Sequence, residues 1–175
     1  VRRTVPIAVM TLLLAGCGSS AARTTGSDGA REPARLTVTS SAFTQGGAIP
    51  DRYTCKGAGA GLPLSWTGAP AGTGWFALYM EDPTASDYTH WYVVDIPAGS
   101  RGVAEGRTPP GHVVAPYSPP CPSEGTTDDY LIRVYALPAS YRPARLGAAA
   151  VVDPAGLQAH ALAVGSIDGT VFRPV

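Results

Sequence analysis

In the stretch EDPTASDYTHW, residues 81–91, Asp82 stands before a proline and His90 before a tryptophan. A histidine can donate a hydrogen bond to a phosphate oxygen. A carboxylate beside it can orient the ring and favour its protonation, or take the ammonium side of a zwitterion. The stretch lies between two apolar runs, WFALYM and YVVDI. The acid that ends the first run and the histidine that opens the next either share a pocket or are ordinary strand-end residues, Asp82 capping a turn. Ser65 or Ser86 could be added to them as a serine-hydrolase set. The sequence has no Gly-x-Ser-x-Gly elbow, no phosphate-binding glycine loop, no dinucleotide fingerprint and no His-Glu-x-x-His. Catalysis is therefore not expected, and no cofactor is.

These residues need a scaffold, and the hydrophobic pattern supplies one. Trp75 to Met80 has apolar residues at both parities, as expected of a strand buried on both faces. His90 to Ile96 places His90, Tyr92, Val94 and Ile96 on one face and ends at Pro97-Ala98-Gly99. Tyr130 to Leu137 is a third strong strand, ended by Pro138. Leu36 to Ser40 alternates like a half-buried strand, and Leu62 to Trp66 is short and extended. Six prolines between Gly102 and Gly125 predict loop there, because proline cannot donate to a ladder. Asp153 as N-cap and Pro154 at the first helical position predict a short helix over Ala155 to Val164, stopped by Gly165. Ser166 to Phe172 follows as a last strand. The fold class is mostly β, an antiparallel β-sandwich with one short C-terminal helix and long Pro/Gly-rich loops.

The N-terminus is not read as part of that fold. Arg2 and Arg3 precede an apolar run from Ile7 to Leu14, too short to span a bilayer, and Leu14-Ala15-Gly16-Cys17 follows. This resembles a bacterial lipoprotein signal: residues 1–16 would be removed and Cys17 would carry the lipid. An ordinary export signal with an incidental cysteine is the alternative. Residues 17–33 then form a flexible tether, and 34–175 the folded domain. A lipid on Cys17 places the domain on the extracytoplasmic face of the cell membrane, held by acyl chains that contribute ~0.8 kcal/mol per buried CH₂.

Without residues 1–16, eleven basic residues face thirteen acidic ones, a formal charge of −2. That gives nucleic acid no electrostatic footprint. Cys55 and Cys121 remain, and in an exported protein a disulfide between them is the simplest use of the pair, two buried thiols the alternative. Two cysteines are too few for a structural zinc site, and no metal is expected.

Several segments together, in order, resemble one family. They are Ile49-Pro50-Asp51-Arg52-Tyr53-Thr54-Cys55, Leu62-Pro63-Leu64-Ser65-Trp66, Asp82-Pro83, His90-Trp91, Pro120-Cys121-Pro122 and Gly125-Thr126. The set is similar to the phosphatidylethanolamine-binding protein family, in its bacterial Raf-kinase-inhibitor-like branch, over about residues 36–172. The resemblance implies a β-sandwich with a small anion-accepting pocket near the surface. An aspartate before a proline, a histidine at the next strand's start and a proline-rich segment ending in a second histidine line it.

Carried over, the ligand-binding residues are Asp82, Pro83, His90, Trp91, Tyr117, Pro120 and Thr127. Thr127 enters because the family continues Gly-Thr-His-Arg-Tyr where this chain has Gly125-Thr126-Thr127-Asp128-Asp129-Tyr130. By that count the second histidine becomes Thr127 and the arginine Asp128. A glutamate of the branch's C-terminal helix falls on Val164. Loss of a cationic donor beside new acids weakens a phosphate site. His112 and His160 are expected to be solvent-facing or packed, not ligands.

The resemblance thus implies a non-catalytic envelope lipoprotein binding a small anionic or zwitterionic ligand such as a phospholipid headgroup. The alternative is a kinase- or protease-inhibitor-like module with a protein partner, acting through loops 108–125 and 83–89. Tyr88 and Tyr117 would be its anchors.

Overall fold

The computed structural model describes residues 33–141 and 153–175. The leader, Cys17 and nearly all of the tether lie outside these residues. The strands are β1 (Ala34–Arg35), β2 (Thr37–Thr39), β3 (Gly47–Ala48), β4 (Leu64–Thr67), β5 (Thr73–Asp82), β6 (Tyr88–Pro97), β7 (Gly102–Val103), β8 (His112–Ala115), β9 (Thr127–Pro138) and β10 (Ala163–Phe172). Among the described residues one α-helix, α1, spans Pro154–His160. The larger sheet has the order β1-β10-β9-β5-β6-β8, with β3 also on β10; β2-β4-β7 forms a second, smaller sheet. The long pairings are antiparallel. β1 and β3 add to β10 in parallel, a detail within the expected antiparallel sandwich.

The core forms because β5 and β9 bury both faces. Phe76, Leu78 and Met80 of β5 meet Ile132 and Val134 of β9 and, from the smaller sheet, Leu64 and Trp66. The Trp66 and Phe76 rings, 5.7 Å apart, join the two layers. On the outer face Trp75, Ala77 and Tyr79 pack with Tyr92, Val94, Tyr135 and Leu137, and Leu157 of α1 covers them. Leu157 is fully buried, and such burial contributes ~1.5–3 kcal/mol.

Three local expectations are corrected. The helix stops at His160, and Val164 belongs to β10 rather than to a helix. β10 pairs with β9 over ten residues, and that ladder outweighs the helix propensity of the Ala/Leu run. The proline-rich segment holds two short strands, β7 ahead of its first proline and β8 between Pro110 and Pro116. Finally, β6 does not alternate strictly. Met80 pairs with Trp91 and Glu81 with Thr89, which leaves His90 as an extra, bulged residue. A second irregularity lies at Val94-Asp95, where Asp95 takes a left-handed φ of 56°. It moves Ile96 to the inner core with Trp91 and Val93, while Tyr92 and Val94 stay outside.

Candidate functional site

The first bulge decides what the opening pair does. Strict alternation would send His90 and Trp91 to opposite faces. With His90 as the extra residue, Trp91 stays in the core, Thr89 turns outward and His90 turns to the inner end of the sheet. There it meets Asp82, the last residue of β5, whose cross-strand partner is Tyr88. Asp82, Tyr88, His90, Ser118, Cys121, Ser123, Asp128 and Tyr130 line a cavity of about 320 Å³ with Ala85 and Pro119. Asp82, His90 and Tyr130 are 2%, 6% and 0% exposed, so three polar groups are withdrawn from bulk water at one spot.

Each is held differently. Asp82 caps the 3-10 turn Pro83–Ala85. Its Oδ1 accepts from the Thr84 and Ala85 amides at 2.9 Å and from the Thr84 hydroxyl, and its carboxylate also stands close to Asp128 and Tyr130. His90 is clamped to Ser118: the Ser118 amide donates to the His90 carbonyl at 2.7 Å, and His90 Nδ1 donates to the Ser118 carbonyl at 2.8 Å. A carbonyl only accepts, so Nδ1 carries the proton, and in the neutral ring Nε2 keeps its lone pair. Asp82 therefore does not orient the imidazole as a triad aspartate would.

Tyr130 packs edge-on with His90 at 5.1 Å, and so does Tyr88 at 4.8 Å. Among the described residues none meets hydrogen-bond geometry at the buried Tyr130 hydroxyl, although the Asp82 carboxylate and the Cys121 backbone lie close enough to act on it. Burial, then the charges of Asp82 and Asp128, push its pKa upward. Asp128 is raised too, by desolvation first and then by the charge of Asp82.

The expected ligand residues are thus not all at the cavity. Asp82 and His90 line it. Pro83 is exposed beside it in the turn. Trp91 is fully buried in the core, edge-on to Tyr117 at 5.2 Å. Tyr117 donates its hydroxyl to the Tyr53 carbonyl at 2.8 Å. Pro120 accepts from the Cys55 amide at 3.0 Å, next to the Cys55–Cys121 disulfide that ties this wall down. Thr127 is exposed at the start of β9. Tyr130, Ser118 and Ser123 line the cavity although sequence reasoning did not select them. Tyr130 carried a signal, since it closes the Gly-Thr pattern, but it reads equally as the first buried residue of a strand. His112 is exposed on β8, opposite Val94, and His160 stacks on Tyr141 at 4.0 Å.

The larger concavity lies elsewhere. About 570 Å³ on the outer face is lined by Tyr79, Glu81, Arg133 and Tyr135 among others. There Glu81 and Arg133 pair with one another, and burial raises the Tyr79 pKa to about 12.

Residues 39–172 match the profile described as "Phosphatidylethanolamine-binding protein". The chain belongs to the phosphatidylethanolamine-binding protein family. A Mycobacterium tuberculosis protein named "Putative lipoprotein LppC" is 38% identical over 80% of this chain and 75% of its own length. A UPF0098 protein of Mycobacterium tuberculosis is 43% identical over 59% of this chain and 55% of its own; this chain thus spans about half of that relative's length. Two crystal structures share the fold. A Chlamydia trachomatis homologue, CT736, has a TM-score of 0.66 at 27% identity, covering 79% of this chain and 98% of that one. Escherichia coli YbcL has 0.65 at 25% identity, covering 81% and 99%.

Membership sharpens the departure at β9. Counted forward from Gly125, the family's second histidine falls on Thr127. Counted back from Tyr130, it falls on Asp128, because this chain has one residue more. Strand geometry decides between them. Asp128, Tyr130 and Ile132 share one face of β9, and Asp128 and Tyr130 line the cavity while Thr127 does not. Of the two, Asp128 and not Thr127 is the residue that reaches the cavity.

Proposed function

We propose that this chain is a non-catalytic ligand-binding domain, tethered through Cys17 to the extracytoplasmic face of the cell membrane. Its working site is the cavity of Asp82, His90, Asp128 and Tyr130, and its ligand is a small polar molecule of the headgroup class. One observation carries the reading: three buried polar side chains converge on a cavity of about 320 Å³. Buried polar groups are costly unless partnered, and among the described residues none meets hydrogen-bond geometry at the Tyr130 hydroxyl. Binding rather than turnover is favoured because His90 spends Nδ1 on a backbone carbonyl and Asp82 spends Oδ1 on backbone amides, so no aspartate–histidine relay is assembled. The name of the mycobacterial relative supports the lipid anchor.

The test is a titration of the full chain with phosphoethanolamine, read by NMR at His90, Asp82 and Tyr130. Saturable shifts that vanish in His90→Ala are expected; unchanged spectra at millimolar ligand would reject the cavity as the working site. The inhibitor-like alternative retains one exposed aromatic anchor, Tyr88, 53% exposed, since Tyr117 is packed against the core.

A further inference from the structure

The cavity's walls are rich in acceptors and poor in cations. The carboxylates of Asp82 and Asp128 present negative charge. With Nδ1 donating to the Ser118 carbonyl, the neutral form of His90 presents the lone pair of Nε2. Among the described residues no lysine or arginine lines the cavity. Counted back from Tyr130, Asp128 stands where the resemblance implies an imidazole, and by that count this chain has exchanged a donor that can become cationic for an anion. A phosphate brought here would meet two like charges, each worth ~4 kcal/mol at 4 Å and an effective dielectric of 20.

A buried hydroxyl gives independent support. The Tyr130 hydroxyl is fully buried and lines the cavity; no partner meets hydrogen-bond geometry, and the Asp82 carboxylate and the Cys121 backbone stand beside it. Its oxygen can accept from a ligand N–H. Tyr88 and Tyr130 both pack edge-to-face with His90, so aromatic rings stand beside the carboxylates. The faces of such rings attract ammonium groups. Among the described residues no three His, Cys, Asp or Glu side chains converge in a way that could hold a metal ion, so the wall chemistry suits an organic cation.

We infer that the group buried in this cavity is a small organic ammonium ion, held between Asp82 and Asp128 with Tyr130 and His90 Nε2 as further acceptors. The inference rests on the cavity being the ligand site and names the class of ligand it takes. A zwitterion would enter ammonium end first, with its phosphate toward solvent.

The full chain, ¹⁵N-labelled, is titrated at constant ionic strength and neutral pH with ethylammonium chloride and, separately, with sodium phosphate. Saturable shifts at Asp128, Tyr130 and His90 with ethylammonium, absent with phosphate and weakened about tenfold in Asp128→Asn, are expected. Tenfold corresponds to ~1.4 kcal/mol of binding free energy. Tyr130→Phe, which keeps the ring, should weaken binding by a smaller factor. Saturable phosphate binding without ethylammonium binding would overturn the inference and leave the ligand-binding function standing. Binding of neither would overturn both. Ethylammonium binding that Asp128→Asn and Tyr130→Phe both leave unchanged would also overturn the inference. A competition arm identifies the source of the amine. Displacement of ethylammonium by phosphatidylethanolamine vesicles, but not by phosphatidylglycerol vesicles, places it on a lipid. Displacement by free ethanolamine alone places it in solution. Either supports the inference.

Discussion

Glu81 and Asp82 are adjacent on β5, carry the same charge and are both buried, yet the fold treats them differently. Alternation sends Glu81 to the outer face, where it pairs with the Arg133 guanidinium one strand away. Asp82 goes to the inner end, where the described residues give it backbone amides and a hydroxyl but no cation. The outer groove is larger, and its buried charge is compensated by the protein itself. The inner cavity is smaller, and its charges are not. Size alone would have pointed to the outer groove; compensation points to the inner one. A charge neutralised within the fold serves the fold, whereas one left without a counter-ion is open to a ligand.

The widest break in this contrast comes from removing the outer cation. Arg133→Met leaves Glu81 buried without its partner. Orphaning a fully buried charge costs ~3–5 kcal/mol. Because Arg133 is 28% exposed, water takes over part of the guanidinium's role, and a loss of about 1–3 kcal/mol is expected. The midpoint of urea unfolding measures it, and ammonium binding in the inner cavity should not change. If stability were unaltered while binding fell, the two faces would have exchanged roles.

Tyr130→Phe sharpens the same contrast from the other side. A buried hydroxyl without a partner costs ~1–3 kcal/mol, so removing it should leave stability unchanged or raise it by about 1 kcal/mol. Ligand affinity should fall. A stabilising change that weakens binding is what a group kept for a ligand predicts. A clear loss of stability in urea would instead mean that the hydroxyl is bonded within the fold.

The sequence carried much of this arrangement, unevenly. β5, β6 and β9 were readable because their apolar residues run nearly unbroken over at least six positions between polar or proline stops, and Asp153-Pro154 marked the start of α1. β7 and β8 were not, because strands of two and four residues are too short to establish a period. The β6 bulges left no mark: the residue with positive φ is Asp95, where glycine would have been the signal. Yet the bulge at His90 is what brings the imidazole to Asp82. The site was therefore half legible. Asp82 and His90 could be picked by type and by resemblance. Choosing between Thr127 and Asp128 required the register of β9, which an added residue in the preceding turn conceals.

The finest difference between the two faces should appear as a pH dependence. Asp128 has its pKa raised above the ordinary 3.8 by desolvation, then by the charge of Asp82, against a lowering bond from Thr126; Asp129 also raises it. A carboxyl whose pKa is higher folded than unfolded binds its proton more tightly in the folded state. It therefore favours folding below 3.8 and loses that contribution as pH rises through the folded value. At neutral pH the ionised Asp128 opposes folding, and Asp128→Asn should melt slightly above the wild type. The gap should close as the buffer is acidified toward 3.8, and added salt should shrink it because the group is partly exposed. Glu81→Gln, one strand away on the paired face, should do the reverse at neutral pH and lower the melting temperature, since it removes a charge that has a partner. Thermal melts of both variants across pH decide the matter. Equal signs at neutral pH would mean that compensation does not separate the two faces. Opposite signs would leave the carboxylates of the inner cavity as charge that the fold bears at a cost.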